Sequence, residues 1–146
     1  MQVETAKGVV DQFVTISCQG LGGEPVDVFA MLDDQVQYTR HGLPPIEAKC
    51  SSLGEVREKV FPPEVLAAIK PQPGFGIYPT EYIEEGNRIV VLMKGRGANI
   101  SDVPYNNTYF FLFEIRNNKI LRVIEDLDAS LSWRCFYSVH LEEDVR

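Results

Sequence analysis

Between Pro104 and Asp128 the chain writes two strands and a turn, "YNNTYFFLFEI", "RNNK" and "ILRVIEDLD". Successive side chains of a strand point to opposite faces, so Tyr105, Asn107, Tyr109, Phe111 and Phe113 share one side of the first strand. Asn106, Thr108, Phe110, Leu112 and Glu114 share the other. Both sides carry large apolar groups, and a face of that kind has to be covered, by another layer of the fold or by a second subunit. The second strand ends in three carboxylates, Glu125, Asp126 and Asp128.

The rest of the chain supplies helices first and strands later. Val9, Val10, Phe13, Val14 and Ile16 recur at spacings near three and four, which predicts an amphipathic helix from about Glu4 to Gln19, ended by the glycines of "GLGG". "EPVDVFAML" is expected to form a short helix, "DDQVQYTRHG" a strand and "LPPIEAKCSS" a loop. A second helical segment starts at Ser52, an N-cap with Glu55 three residues on, breaks at Pro62 and Pro63 and restarts in "PEVLAAIK". After a "PQPG" turn, "FGIYPTEYIEEG" reads as a strand whose proline places it at an edge or bulge. "NRIVVLMKGRGANI" is a long strand opened by a tight Glu-Gly-Asn turn. The tail from Ala129 is a short helix or irregular, with Asp128 as its cap.

Segregated helices and a run of antiparallel strands mean α+β. The expectation is a single domain spanning residues 1–146, with no nucleotide-binding loop and no nucleophile elbow. The formal net charge of −7 opposes binding to phosphate backbones, so nucleic acid is not an expected partner. Three widely spaced cysteines and two histidines show no metal-ligand spacing, so neither a metal nor another cofactor is expected, and the thiols read as free. No segment approaches the length of a membrane helix and the N-terminus lacks the apolar block of a signal peptide, which makes a cytoplasmic protein the expectation.

The order of elements, and above all "YNNTYFFLFEIRNNKILRVIEDLD", resembles the nuclear transport factor 2-like superfamily, with its SnoaL-like and ketosteroid-isomerase-like members. The resemblance implies a curved antiparallel or mixed sheet wrapped around N-terminal helices, a cystatin-like cone with an apolar pocket, and a homodimer formed through the sheet's outer face. Alignment with limonene epoxide hydrolase, which shares "LPP" after its first strand, places a pocket tyrosine on Tyr38 and an amide on Arg40. Its middle-strand charged pair falls on Leu92 and Lys94, and its last-strand aspartate on Glu125. The ketosteroid isomerases' two aspartates fall on Tyr38 and near Phe111. The groups those two mechanisms need are thus replaced at most positions, and neither mechanism is implied. The same alignment puts Leu92, Lys94 and Arg96 on an inward face, together with Val123 and Glu125 and with Tyr38 and Arg40.

The candidate site follows. Glu125 is either a general acid or base, or half of a structural ion bridge to Lys94 or Arg96. Lys94 and Arg40 either hold negative charge on a ligand or snorkel to the pocket mouth. Tyr38, Tyr105 and Tyr109 are proton donors or packing residues, and Asn107 is a ligand contact or amide glue. Leu92, Arg96, Val123 and Phe111 complete the expected lining. His41, beside Gly42, is a proton shuttle at the mouth or a solvated residue; His140 has no expected role. Two functions fit: a cofactor-independent enzyme of isomerase, dehydratase or cyclase type acting by proton transfer on a hydrophobic small molecule, or a non-catalytic module that binds such a molecule.

Overall fold

The computed structural model describes residues 5–72 and 76–137. Helix α1 (Ala6–Leu21) starts where Thr5 accepts a hydrogen bond from the Gly8 amide and stops at Gly22. Its stripe of Val9, Val10, Phe13 and Val14 is buried, as the spacing predicts. Helix α2 (Leu53–Lys59) is capped by Ser52, whose hydroxyl accepts from the Glu55 amide, and α3 (Pro63–Ala68) opens on a proline. No helix among the described residues is long and apolar enough to cross a membrane.

Among the described residues the strands are β1 (Leu32–Arg40), β2 (Ala48–Cys50), β3 (Gly76–Glu85), β4 (Arg88–Arg96), β5 (Thr108–Arg116) and β6 (Lys119–Leu127). They form one curved sheet in the order β2-β1-β6-β5-β4-β3. Strands β3 to β6 run as an antiparallel meander, and β1 joins β6 in parallel, with Tyr38 beside Val123 and Arg40 beside Glu125. Asn117 and Asn118 both take positive φ, +52° and +59°, the two-residue turn whose twist matches a hairpin, so the "RNNK" reading holds. Pro79 sits on the edge strand β3, beside a register shift between Pro79 and Glu81. The sheet's inner face packs on α1 through a row of rings: Phe13 meets Phe113 edge-on at 5.7 Å, and Phe113, Phe111 and Tyr109 stack along β5.

Some local expectations differ from the structure. "EPVDVFAML" forms turns instead of a helix, because the Asp27 carboxylate accepts the Phe29 amide and is gripped by Arg57, which favours a turn over a helix. "LPPIEAKCSS" contains strand β2, hydrogen-bonded antiparallel to β1 at the sheet edge. The tail carries α4 (Ala129–Ser132), capped by Asp128 as expected, and a π-helical turn, Trp133–Tyr137. The end of the "PQPG" turn, Phe75 and His140 lie outside the described residues.

The face of β4 needs the largest correction. Leu92, Lys94 and Arg96 were expected inside; instead Ile89, Val91, Met93 and Gly95 point into the core, while Lys94 and Arg96 are exposed and Leu92 is half-buried. A slip of one residue exchanges the two faces of a strand, and the apolar set of β4 decides which goes in. This register is checked by urea denaturation: Met93→Ala costs roughly 2–5 kcal/mol, whereas Lys94→Ala changes stability by less than about 0.5 kcal/mol. The opposite ranking would restore the inward lysine.

Candidate functional site

The open end of the cone holds a cavity of about 130 Å³. Its wall is mostly apolar, drawn from α1 (Phe13), the turn before β1 (Val28, Phe29), α3 (Val65, Leu66) and β5 (Phe111). The polar groups that reach it come from β1, β5, β6 and α4. An engineered apolar cavity of about 150 Å³ takes up benzene, so this space suits a molecule of single-ring size.

Among the described residues Glu125 is the one carboxylate in that wall. Its position on β6 opposite Phe111 turns it inward, and only 7% of its surface is exposed. The Tyr38 hydroxyl donates to Oε1 at 2.5 Å. Oε2 has no hydrogen-bond partner among the described residues, and Glu125 lines the cavity. Burial pushes the Glu125 carboxyl above its usual range, against the opposing pull of the Arg40 charge and the Tyr38 hydrogen bond. The same burial, reinforced by the Glu125 charge, drives the Tyr38 phenol well above its usual range, so Tyr38 stays a donor.

Arg40 is 5% exposed. Its guanidinium donates to the carbonyls of Ile46 and Val60 and to the Tyr137 hydroxyl at 2.7, 3.0 and 3.0 Å. It is therefore fixed in the cavity wall by β1 and its flanking segments, and acts on Glu125 through space.

A second polar cluster lies one strand step away. The Tyr109 hydroxyl contacts that of Tyr105 at 2.8 Å, and Tyr105 contacts Ser132 Oγ at 2.9 Å. Asn107 organises it. Its Oδ1 accepts the amides of Thr108 and Asp128, tying the start of β5 to the end of β6. Its Nδ2 therefore faces Tyr105, the Asp128 carbonyl and Ser132. Gly95 leaves room for this arrangement, since a Cβ there would come within 3.2 Å of the Tyr109 ring.

No family model matches the sequence, and no curated protein matches it either. Solved structures do match in shape. A nuclear transport factor 2-like protein from Burkholderia thailandensis aligns with TM-score 0.69 at 13% identity, over 91% of this chain and 98% of that one. A protein of cystatin-like fold from Xanthomonas campestris gives 0.68 at 14% identity, over 92% and 98%. A protein of ketosteroid isomerase-like fold from Catenulispora acidiphila, in complex with trimethylamine, gives 0.64 at 14%, over 86% and 92%. The fold is the nuclear transport factor 2-like cone.

Within this cone the structure brings together Tyr38, Arg40, Tyr109, Phe111 and Glu125 around one cavity. Asn107 stands behind it and reaches it through the hydroxyls. Val123 is fully buried on the inward face but beneath the wall. Lys94, Leu92 and Arg96 lie on the outer face, so of the two readings of Glu125 the ion bridge to Lys94 or Arg96 is not formed, and the partner of Glu125 among the described residues is Tyr38. His41 is also corrected: its backbone amide donates to the Glu125 carbonyl, while its exposed side chain is outside the lining. Ser132 and Tyr137 were not foreseen. The only signal for them was the Asp128 cap, which aims the following turn back at the cone mouth.

A Glu125 whose folded pKa is raised adds its full stability below the unfolded pKa and loses it as pH climbs through the folded value. Glu125→Gln keeps a neutral group of the same shape. Its melting temperature relative to the unsubstituted protein should rise between pH 4 and pH 8, each 1 kcal/mol being worth roughly 2–4 °C. A relative fall over that range would show that attraction to Arg40 outweighs burial.

Proposed function

We propose that the cavity binds a small, mostly apolar molecule and that Glu125 moves a proton to or from it without a cofactor. The observation that carries this reading is a buried carboxyl group that lines an apolar space of about 130 Å³, held by Tyr38 through one oxygen, with no partner for the other oxygen among the described residues. A base in such a place is stronger than a solvated carboxylate, and its proton acceptor points at the ligand. Arg40 supplies fixed positive charge in the same wall, available to negative charge that develops as the proton leaves. Isomerisation, dehydration and ring closure all contain such a step. That a protein of the same fold holds trimethylamine supports a ligand of a few heavy atoms.

The proposal includes a homodimer packed through the outer sheet face. Ile83, Val90, Leu112 and Ile124 align there across four strands, and Phe110 beside them is 59% exposed. Sedimentation velocity should show a dimer that Phe110→Asp weakens; a monomer at all concentrations would remove this part.

The chemistry is tested in D₂O by following deuterium uptake with NMR across a panel of neutral molecules of about six to ten heavy atoms. Exchange by the ionised carboxylate should rise with pH and level off, with its inflection above the ordinary carboxyl value of about 4.3. Glu125→Gln should lower it by roughly 10²–10⁴-fold. Tyr38→Phe should move the inflection upward, because the lost hydrogen bond stabilised the anion. Panel members that bind without exchanging, equally in Glu125→Gln, would establish the non-catalytic binding module instead.

A further inference from the structure

Among the described residues, the hydroxyl cluster of Tyr105, Tyr109 and Ser132 has one hydrogen more than it has acceptors. Each hydroxyl carries one hydrogen. Two oxygen–oxygen contacts, Tyr109 to Tyr105 and Tyr105 to Ser132, use two of the three, whichever way each bond runs. The remaining neighbour is Asn107, and its amide orientation is fixed: Oδ1 is taken by the Thr108 and Asp128 amides, so only N–H groups face the hydroxyls. Asn107 adds donors and offers no acceptor. With Tyr109 and Asn107 both donating to the Tyr105 oxygen, Tyr105 gives its own hydrogen to Ser132, and the Ser132 hydrogen is the one left over.

All three hydroxyl residues line the cavity and are at most 7% exposed. A buried donor without a partner is costly, so the surplus hydrogen calls for an acceptor inside the cone. The groups of the cluster are three hydroxyls and an amide, none of them charged, and Arg40, the cation of the same wall, spends its guanidinium on Ile46, Val60 and Tyr137, which favours an uncharged oxygen over a carboxylate. Tyr109 is the same-face neighbour of Phe111, which pairs with Glu125, so the cluster and the carboxyl group are separated by about 7 Å of strand. That span fits a single-ring molecule that reaches both.

We propose that the Ser132 hydroxyl, held by Tyr105 and Tyr109 and oriented by Asn107, donates to the uncharged carbonyl oxygen of the ligand, so that the cone selects small neutral carbonyl compounds. This rests on the reading of the cavity as a ligand site. Asn107 is a positioning residue: it sets the direction of every hydrogen in the cluster.

The test uses two probes of one shape, cyclohexanone labelled with ¹³C at the carbonyl and methylenecyclohexane, with binding read by NMR titration and the ketone stretch by infrared difference spectroscopy. The bound ketone should show a carbonyl stretch below its value in hexane. Asn107→Asp replaces the inward N–H groups with an oxygen that consumes the surplus hydrogen. There the stretch should return to the hexane value and ketone affinity should fall by about tenfold, with alkene affinity unchanged. If Asn107→Asp does not fold, the unsubstituted protein still decides, because a bound ketone with the hexane stretch overturns the inference. So does a lowered stretch that survives Asn107→Asp, which would assign the bond to another donor. Binding of both probes without a lowered stretch leaves the cavity reading standing; binding of neither overturns both.

Discussion

Placing a carboxyl group away from water costs several kcal/mol per charge unless protein groups replace the lost solvation, and the inner end of β6 is organised around that cost. Parallel pairing of β1 with β6 brings Tyr38 and Arg40 alongside Glu125. Tyr38 supplies a hydrogen bond, Arg40 a charge at longer range, and neither neutralises the group outright. The result is a carboxyl group whose proton is held more tightly than in water, with one oxygen unpartnered among the described residues.

The cavity is thereby polar at two places and apolar elsewhere. One pole, around Glu125, is a buried carboxyl group; the other, around Tyr105 and Ser132, is an ordered set of donors. Both depend on backbone contacts made by side chains. Arg40 is pinned by the carbonyls of Ile46 and Val60, and Asn107 by the amides of Thr108 and Asp128. These bonds connect loops to strands and keep the wall rigid where the sheet alone would leave the mouth of the cone to its connecting segments.

Much of this was legible in the sequence. The alternation in "YNNTYFFLFEI" fixed the inner face of β5, since only one of its two faces joins rings to Asn107. Ser52 and Asp128 announced their caps, and Pro79 its edge position. β4 was misread because "VVLMKGR" is apolar on both faces along much of its length, so period two alone cannot choose. The borrowed alignment then chose wrongly; Gly95, small enough for the Tyr109 ring, was the better guide. The helix expected in "EPVDVFAML" failed to Asp27, whose partner Arg57 lies 30 residues away. Ser132 and Tyr137 entered the site through the turn after Asp128, a three-dimensional event with no periodic signature.

The β1–β6 pairing has a consequence for how the molecule comes into being. Strands β3 and β4, and β5 and β6, are joined by two-residue turns, and β4 and β5 by a loop of residues 97–107, so every pairing of this meander is local in sequence. Tyr38 and Glu125, in contrast, are 87 residues apart, and the parallel ladder that joins them has no partner until β6 has been synthesised. Until then the inner edge of β1 is an unpaired template carrying a buried-type tyrosine and arginine, the kind of exposed edge that chaperones and aggregation both recognise. The pairing that assembles the cavity wall is thus the one with the longest wait along the chain, and the cone closes at the place where its buried polar groups are gathered.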